Sequence, residues 1–111
     1  MSKAAQPETR TSVSAVALSP DQARTVRQVL LRVVPGAHVM VFGSRSTGKA
    51  RPVSDLDLRV LQPVSLTRAQ RADLRDAFEA SSLPFTVDVV EAAGLAPGMA
   101  ELLAAQMRPL P

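Results

Sequence analysis

Asp55 and Asp57 stand two residues apart in Asp55-Leu56-Asp57-Leu58-Arg59-Val60-Leu61, where polar and apolar residues alternate enough to predict a β-strand over 55–61. Successive side chains of a strand leave opposite faces, so both carboxylates project from one side while Leu56, Leu58 and Val60 go to the packed side. Two negative charges this close disfavour joint ionisation unless a cation lies between them, either an arginine or a metal ion. Hard divalent ions such as magnesium take oxygen ligands of this kind, with waters and phosphate oxygens completing the shell. Asp88 lies in the middle of a second apolar run, Phe85-Thr86-Val87-Asp88-Val89-Val90, where a purely solvent-facing role is awkward. If its strand pairs beside the Asp55 strand, three carboxylates reach one edge of a sheet. That donor set suits two metal ions roughly 3.5–4 Å apart, the arrangement used for in-line displacement at phosphorus. Arg59 supplies the alternative: it shares the predicted face with Asp55 and Asp57 and could neutralise them in an ion-pair network.

Upstream, Gly43-Ser44 directly follows the apolar run His38-Val39-Met40-Val41-Phe42. A glycine there lets backbone approach a phosphate, the serine hydroxyl can donate to one, and an ordinary Gly-Ser turn is the plain alternative. The stretch Gly43-Ser44-Arg45-Ser46-Thr47-Gly48-Lys49-Ala50 also matches the P-loop pattern except at its last position. Ala50 has no hydroxyl for magnesium, and Pro52 stands where the helix after a P-loop should build its first turns. The P-loop reading is therefore rejected.

The elements that must carry these residues can be read in order. Ser19-Pro20-Asp21-Gln22 has a cap, a proline for the first helical position and a glutamine to close a capping box, predicting a helix to about Val34. Its Ala23, Val26, Leu30 and Val33 form one apolar stripe, and Pro35-Gly36 stops it. Strands over 38–42 and 55–61 follow, the second ended by Pro63. Thr67-Arg68-Ala69-Gln70 is a second capping box and opens a helix to about Ser81, with Ala69, Leu74, Ala77 and Phe78 for packing. A third strand spans 85–90. A last helix from Pro97 to Gln106 offers Met99, Leu102, Leu103 and Met107 as its apolar side. The order helix, strand, strand, helix, strand, helix predicts an α+β domain over 18–111, preceded by a polar tail over 1–17.

Composition bounds the rest. A chain of 111 residues that is 46% hydrophobic has material for one core. Its formal charge of +3, without a basic tract and with 3% aromatic residues, gives no strong nucleic-acid signal and suits a nucleotide phosphate better. With no cysteine, a thiolate zinc site, a disulfide framework and a cysteine nucleophile are excluded. No apolar run approaches the ~18 residues needed to span a bilayer, and the N-terminal stretch lacks a signal-peptide core, so no membrane association and a cytoplasmic location are expected. His38, the one histidine, is assigned no role.

Taken together, Gly43-Ser44, then Asp55-Leu56-Asp57 after ten residues, then Asp88 on a later strand resemble the polymerase-beta-type nucleotidyltransferase superfamily, in particular its minimal nucleotidyltransferase branch. Residues Gly43 to Val60, including Ala50-Arg51-Pro52 and Ser54-Asp55, look like that branch's signature region. The resemblance implies a nucleotidyltransferase fold, with a small mixed sheet of three to four strands and helices packed mainly on one face. It implies that Gly43 and Ser44 hold the triphosphate and that Asp55 and Asp57 coordinate two magnesium ions. Asp88 would ligate the metal nearer the acceptor and assist removal of its proton. Members often carry arginine where Thr47 stands; Arg45 or Lys49 is the candidate substitute contact, and a solvated loop cation is the alternative for either. The implied reaction is attack of an acceptor hydroxyl on the α-phosphate of a nucleoside triphosphate, ATP being the expected donor. For this branch the resemblance further implies a helical HEPN toxin as partner, adenylylated on a tyrosine by its antitoxin. A non-catalytic binding module, or transfer to a small molecule or an RNA end, is the alternative.

Overall fold

The structure is a computed structural model that describes residues 16–111. Helix α1 (Pro20–Val33) opens on a complete capping box: the Gln22 amide donates to Ser19 Oγ at 3.1 Å and the Ser19 amide to Gln22 Oε1 at 2.9 Å. Strand β1 (His38–Phe42) leads into the single turn α2 (Ser44–Thr47), then β2 (Leu56–Gln62). Helix α3 (Arg68–Glu79) repeats the capping box with Thr67 and Gln70. Strand β3 (Val87–Glu91), a 3-10 turn at Ala92–Gly94, helix α4 (Pro97–Gln106) and a two-residue strand β4 (Arg108–Pro109) complete the chain.

The four strands form one mixed sheet in the order β3-β2-β1-β4, with β2 and β3 parallel and the other two pairings antiparallel. Period-two alternation sends Leu56, Leu58 and Val60 of β2 into the core, where each is fully buried. Burial of each stabilises the fold by roughly 1.5–3 kcal/mol. They meet Val26 and Leu30 of α1 and Leu74 and Phe78 of α3, so these two helices cover one face of the sheet. Val29 is buried where the stripe predicted Val33, which is half-buried, and Ala69 faces solvent.

Three elements differ from expectation. Val16 is 5% exposed within the core, and the Ala17 amide donates to Arg45 O at 2.8 Å, so the folded body begins before the expected boundary at 18. The tail expected over residues 1–15 lies outside the described residues. The apolar side expected of α4 is not buried: Leu102 and Met99 are exposed and Leu103 is half-buried. This helix instead meets the sheet face that carries Arg59, where Ala100 O accepts from Arg59 Nη1 and Gln106 Oε1 accepts from the Gly43 amide. Finally, β4, the fourth of the three to four strands expected, falls where no strand was read, because a two-residue pairing containing Pro109 is decided by the approach to β1 and not by local sequence.

Candidate active site

The parallel register of β2 and β3 sets Asp57 directly beside Asp88, and Leu56 beside Val87. Both aspartates therefore leave the sheet on the face opposite the core, while Val87 and Val89 pack inward. Asp55 lies one residue before β2 and is exposed. Burial pushes the Asp57 carboxyl up from its ordinary value, and the charges of Asp88 and then Asp55 add to the rise. Among the described residues, no lysine, arginine or histidine nitrogen comes within 4.0 Å of these three carboxylates.

Arg59, the cation expected as an alternative neutraliser, is turned elsewhere. It is 8% exposed, its Nη1 donates to Ala100 O of α4 at 3.4 Å, and its Nε has no partner. The ion-pair network that would have made the acidic cluster purely structural does not form.

Gly43 packs against the cluster. Its backbone, at φ +78° and ψ −156°, is a conformation essentially confined to glycine. A Cβ at this position would lie 2.3 Å from Asp57 Oδ2 and 3.1 Å from its Cγ, so the missing side chain is what lets the carboxylate sit on the turn. The Gly43 amide donates to Gln106 Oε1 at 3.1 Å. Ser44 opens the one-turn helix α2, which ends at Gly48 in the left-handed region with φ +81°. That short turn, followed by coil through Pro52, also rules out the longer helix a P-loop requires.

Arg45, expected beside Gly43 and Ser44 as a phosphate contact, points its guanidinium the other way. The residue is 4% exposed, donates to the carbonyls of Ala17, Ser54 and Pro52, and lies 4.0 Å above the Phe85 ring. Five donors in a fixed fork satisfy carbonyls that would otherwise be stranded, so the side chain ties the loop from 51 to 54 to the N-terminal segment. Of the two substitutes for the arginine absent at Thr47, Lys49 is the one whose side chain faces solvent. The Thr47 hydroxyl donates to Gly43 O at 3.1 Å.

The donor set suits magnesium in its chemistry: carboxylate oxygens only, none neutralised by a cation. No three carboxylate or imidazole groups among the described residues are drawn close enough to enclose an ion as they stand. Magnesium is ordinarily bound by one or two carboxylates together with substrate phosphates and waters, not by a closed protein cage. An open row of acids beside a glycine turn fits that mode of binding.

Glu91, at the end of β3, is a structural residue that sequence reasoning missed. Its carboxylate accepts from Arg71 Nε at 2.6 Å, Arg71 Nη2 at 3.0 Å and the Leu66 amide at 2.8 Å. These contacts, the Arg71 hydrogen bonds first, hold it down to about 2. It fastens the β2–α3 connection to the strand that carries Asp88. Nothing in the spacing of Leu66, Arg71 and Glu91 announces this meeting.

The candidate site is thus a glycine packed onto Asp57, with Asp55 two residues before it and Asp88 in register on the adjacent parallel strand. Residues 35–106 match the family described as polymerase beta, nucleotidyltransferase, and the chain belongs to that family. Its sequence is 36% identical over 81 residues to a protein named a probable protein adenylyltransferase, MntA, of Haemophilus influenzae, covering 73% of this chain and 71% of that one. A solved structure described as a minimal nucleotidyltransferase superposes with a TM-score of 0.64 at 37% identity, covering 81% of this chain and 90% of its own. A toxin–antitoxin crystal structure with AMP-PNP superposes with a TM-score of 0.65 at 26% identity, covering 79% and 71%. Among the described residues no helix is long and apolar enough to cross a membrane.

Proposed function

We propose that this nucleotidyltransferase moves AMP from ATP, in a magnesium-dependent reaction, onto a hydroxyl of a protein toxin and so acts as its antitoxin. The observation that carries the reading is Asp57: half-buried, unpaired with any cation, pressed onto Gly43 and in register with Asp88. Asp55 and Asp57 would hold the metal ions, with Asp88 at the ion nearer the acceptor, and Gly43 and Ser44 would lie against the triphosphate. Bound magnesium would supply positive charge to the phosphoryl oxygens as negative charge develops there. The acceptor oxygen forms a bond to the α-phosphorus, the bond from that phosphorus to the bridging oxygen breaks, and pyrophosphate leaves with the electron pair. Asp88 would take the hydroxyl proton. Arg45 takes no part through its side chain and acts by shaping the loop.

The MntA relative and the toxin–antitoxin structure with AMP-PNP support the choice of ATP and of a toxin as acceptor. A helical HEPN-type toxin modified on tyrosine is the specific partner we infer, and the cytoplasm the location. Purified protein incubated with α-labelled ATP, magnesium and the product of the adjacent gene should label that product. The Asp55→Ala, Asp57→Ala double variant should not. Neutralisation of the toxin by that variant, with no label on the toxin in either reaction, would favour a purely steric binder.

A further inference from the structure

The free edge of β3 borders the acidic row and has the chemistry of a strand acceptor. β3 is the outermost strand on its side of the sheet. The Leu56 amide donates to Thr86 O at 2.9 Å and pairs in register with Val87, so the backbone groups of Thr86, Asp88 and Val90 serve the ladder to β2. Those of Val87 and Val89 therefore point outward, where only another extended backbone can satisfy them in series. Of the devices that commonly blunt native edges, Val87-Asp88-Val89-Val90-Glu91 has no lysine, proline or bulge; its two charges are Asp88, which faces the acidic row, and Glu91, which is taken up by Arg71.

Two adjoining hollows, of about 230 and 350 Å³, run along this edge between β3 and α3. Leu74, Phe78, Val87 and Val89 give them an apolar lining, and Asp88 borders both. Arg75, also at both, is a mainly exposed cation whose one ion pair is a loose 3.8 Å contact with its neighbour Asp76. Arg71 beside it is already committed to Glu91.

We propose that the β3 edge is the docking site for an extended segment of the protein acceptor, which adds as a fifth strand. The proposal rests on the acceptor being a protein. Side chains in register across a sheet share a face, so the residue opposite Asp88 would project onto the acidic face about 4.8 Å further along the sheet. Its neighbours on either side would point with Val87 and Val89, toward the hollows against α3. The segment thus reads apolar, hydroxyl-bearing, apolar, with a carboxylate placed to meet Arg75. Backbone hydrogen bonds supply the affinity and the hollows the selectivity.

Amide hydrogen exchange on the full chain tests this, with short acetylated peptides carrying a central tyrosine flanked by valines and one glutamate. Saturating peptide should slow exchange of the Val87 and Val89 amides by about tenfold or more. The same peptide N-methylated at alternate residues should not, and Arg75→Glu should weaken the effect. Unchanged exchange at those amides would overturn the proposal, as would protection that grows with protein concentration alone and marks the edge as a contact between two copies. Nucleotide binding, measured separately on the same samples, reports on the transferase reading. Protein that binds ATP and leaves both amides unprotected sinks the docking site alone, and protein that protects them without binding ATP sinks the transferase reading alone.

Discussion

Gly43→Ala is the most informative single change, because two separable penalties can be worked out for it. The backbone at φ +78° and ψ −156° is strained for any residue with a Cβ, by roughly 1–3 kcal/mol. In addition the new methyl would fall 2.3 Å from Asp57 Oδ2, so the carboxylate has to move by about an ångström to reach ordinary contact. A displacement of that size at a reacting centre costs about a hundredfold in rate. Gly48→Ala provides the control. Gly48 also has a positive φ, of +81°, but nothing lies within 4 Å of its would-be Cβ. It should lose about 1 kcal/mol of stability and keep its activity. Urea unfolding and label transfer, measured on both variants above any loss of fold, separate the two effects. If Gly43→Ala transfers nucleotide at the native rate, or Gly48→Ala loses as much activity as Gly43→Ala, then the contact between glycine and Asp57 does not organise the site.

Other changes test neighbouring parts of the account. Because burial and two nearby charges raise Asp57, its ionised form is penalised in the fold at neutral pH, so Asp57→Asn should raise the melting temperature of the metal-free protein while abolishing transfer; thermal melts in chelator check this. Glu91 runs the opposite way: lowered from 4.5 to about 2, it contributes stability that is fully present above about 4.5 and is lost as pH falls toward 2. Glu91→Gln should remove about 1 kcal/mol of that dependence, allowing for the solvent around Arg71, and flatten the acid limb of a stability-against-pH curve. Arg45→Ala should destabilise by about 3 kcal/mol, since it strands buried carbonyls and removes a stacked guanidinium, and Arg45→Lys should recover only part of this. A fully stable Arg45→Ala that binds ATP weakly would return Arg45 to the phosphate site.

The parts of the fold fixed by short-range rules were legible. Ser19 with Gln22 and Thr67 with Gln70 announced both capped helices, and the alternation of Leu56, Leu58 and Val60 announced the face on which Asp57 stands. Asp88 could be singled out because a carboxylate inside a valine run needs a reason. What escaped were roles set by tertiary contact. Arg45 and Arg59 look like loop and strand cations in sequence, yet one is held by Ala17, Ser54 and Phe85 and the other by Ala100. The apolar side read for helix α4, Met99, Leu102, Leu103 and Met107, did not say which surface the helix would meet, because contacts made by Ala100 and Gln106 decide that. Such contacts, Gln106 with Gly43 among them, join residues far apart in the chain.

The central claim is that the aspartate row beside Gly43 grips a nucleotide through metal. Calorimetric titration of a non-hydrolysable ATP analogue, with magnesium and then with chelator, measures that directly. Affinity should fall by about a hundredfold or more without the metal, and the Asp55→Asn, Asp57→Asn variant should show the weak value under both conditions. Equal affinity with and without magnesium, unchanged in that variant, would contradict the account.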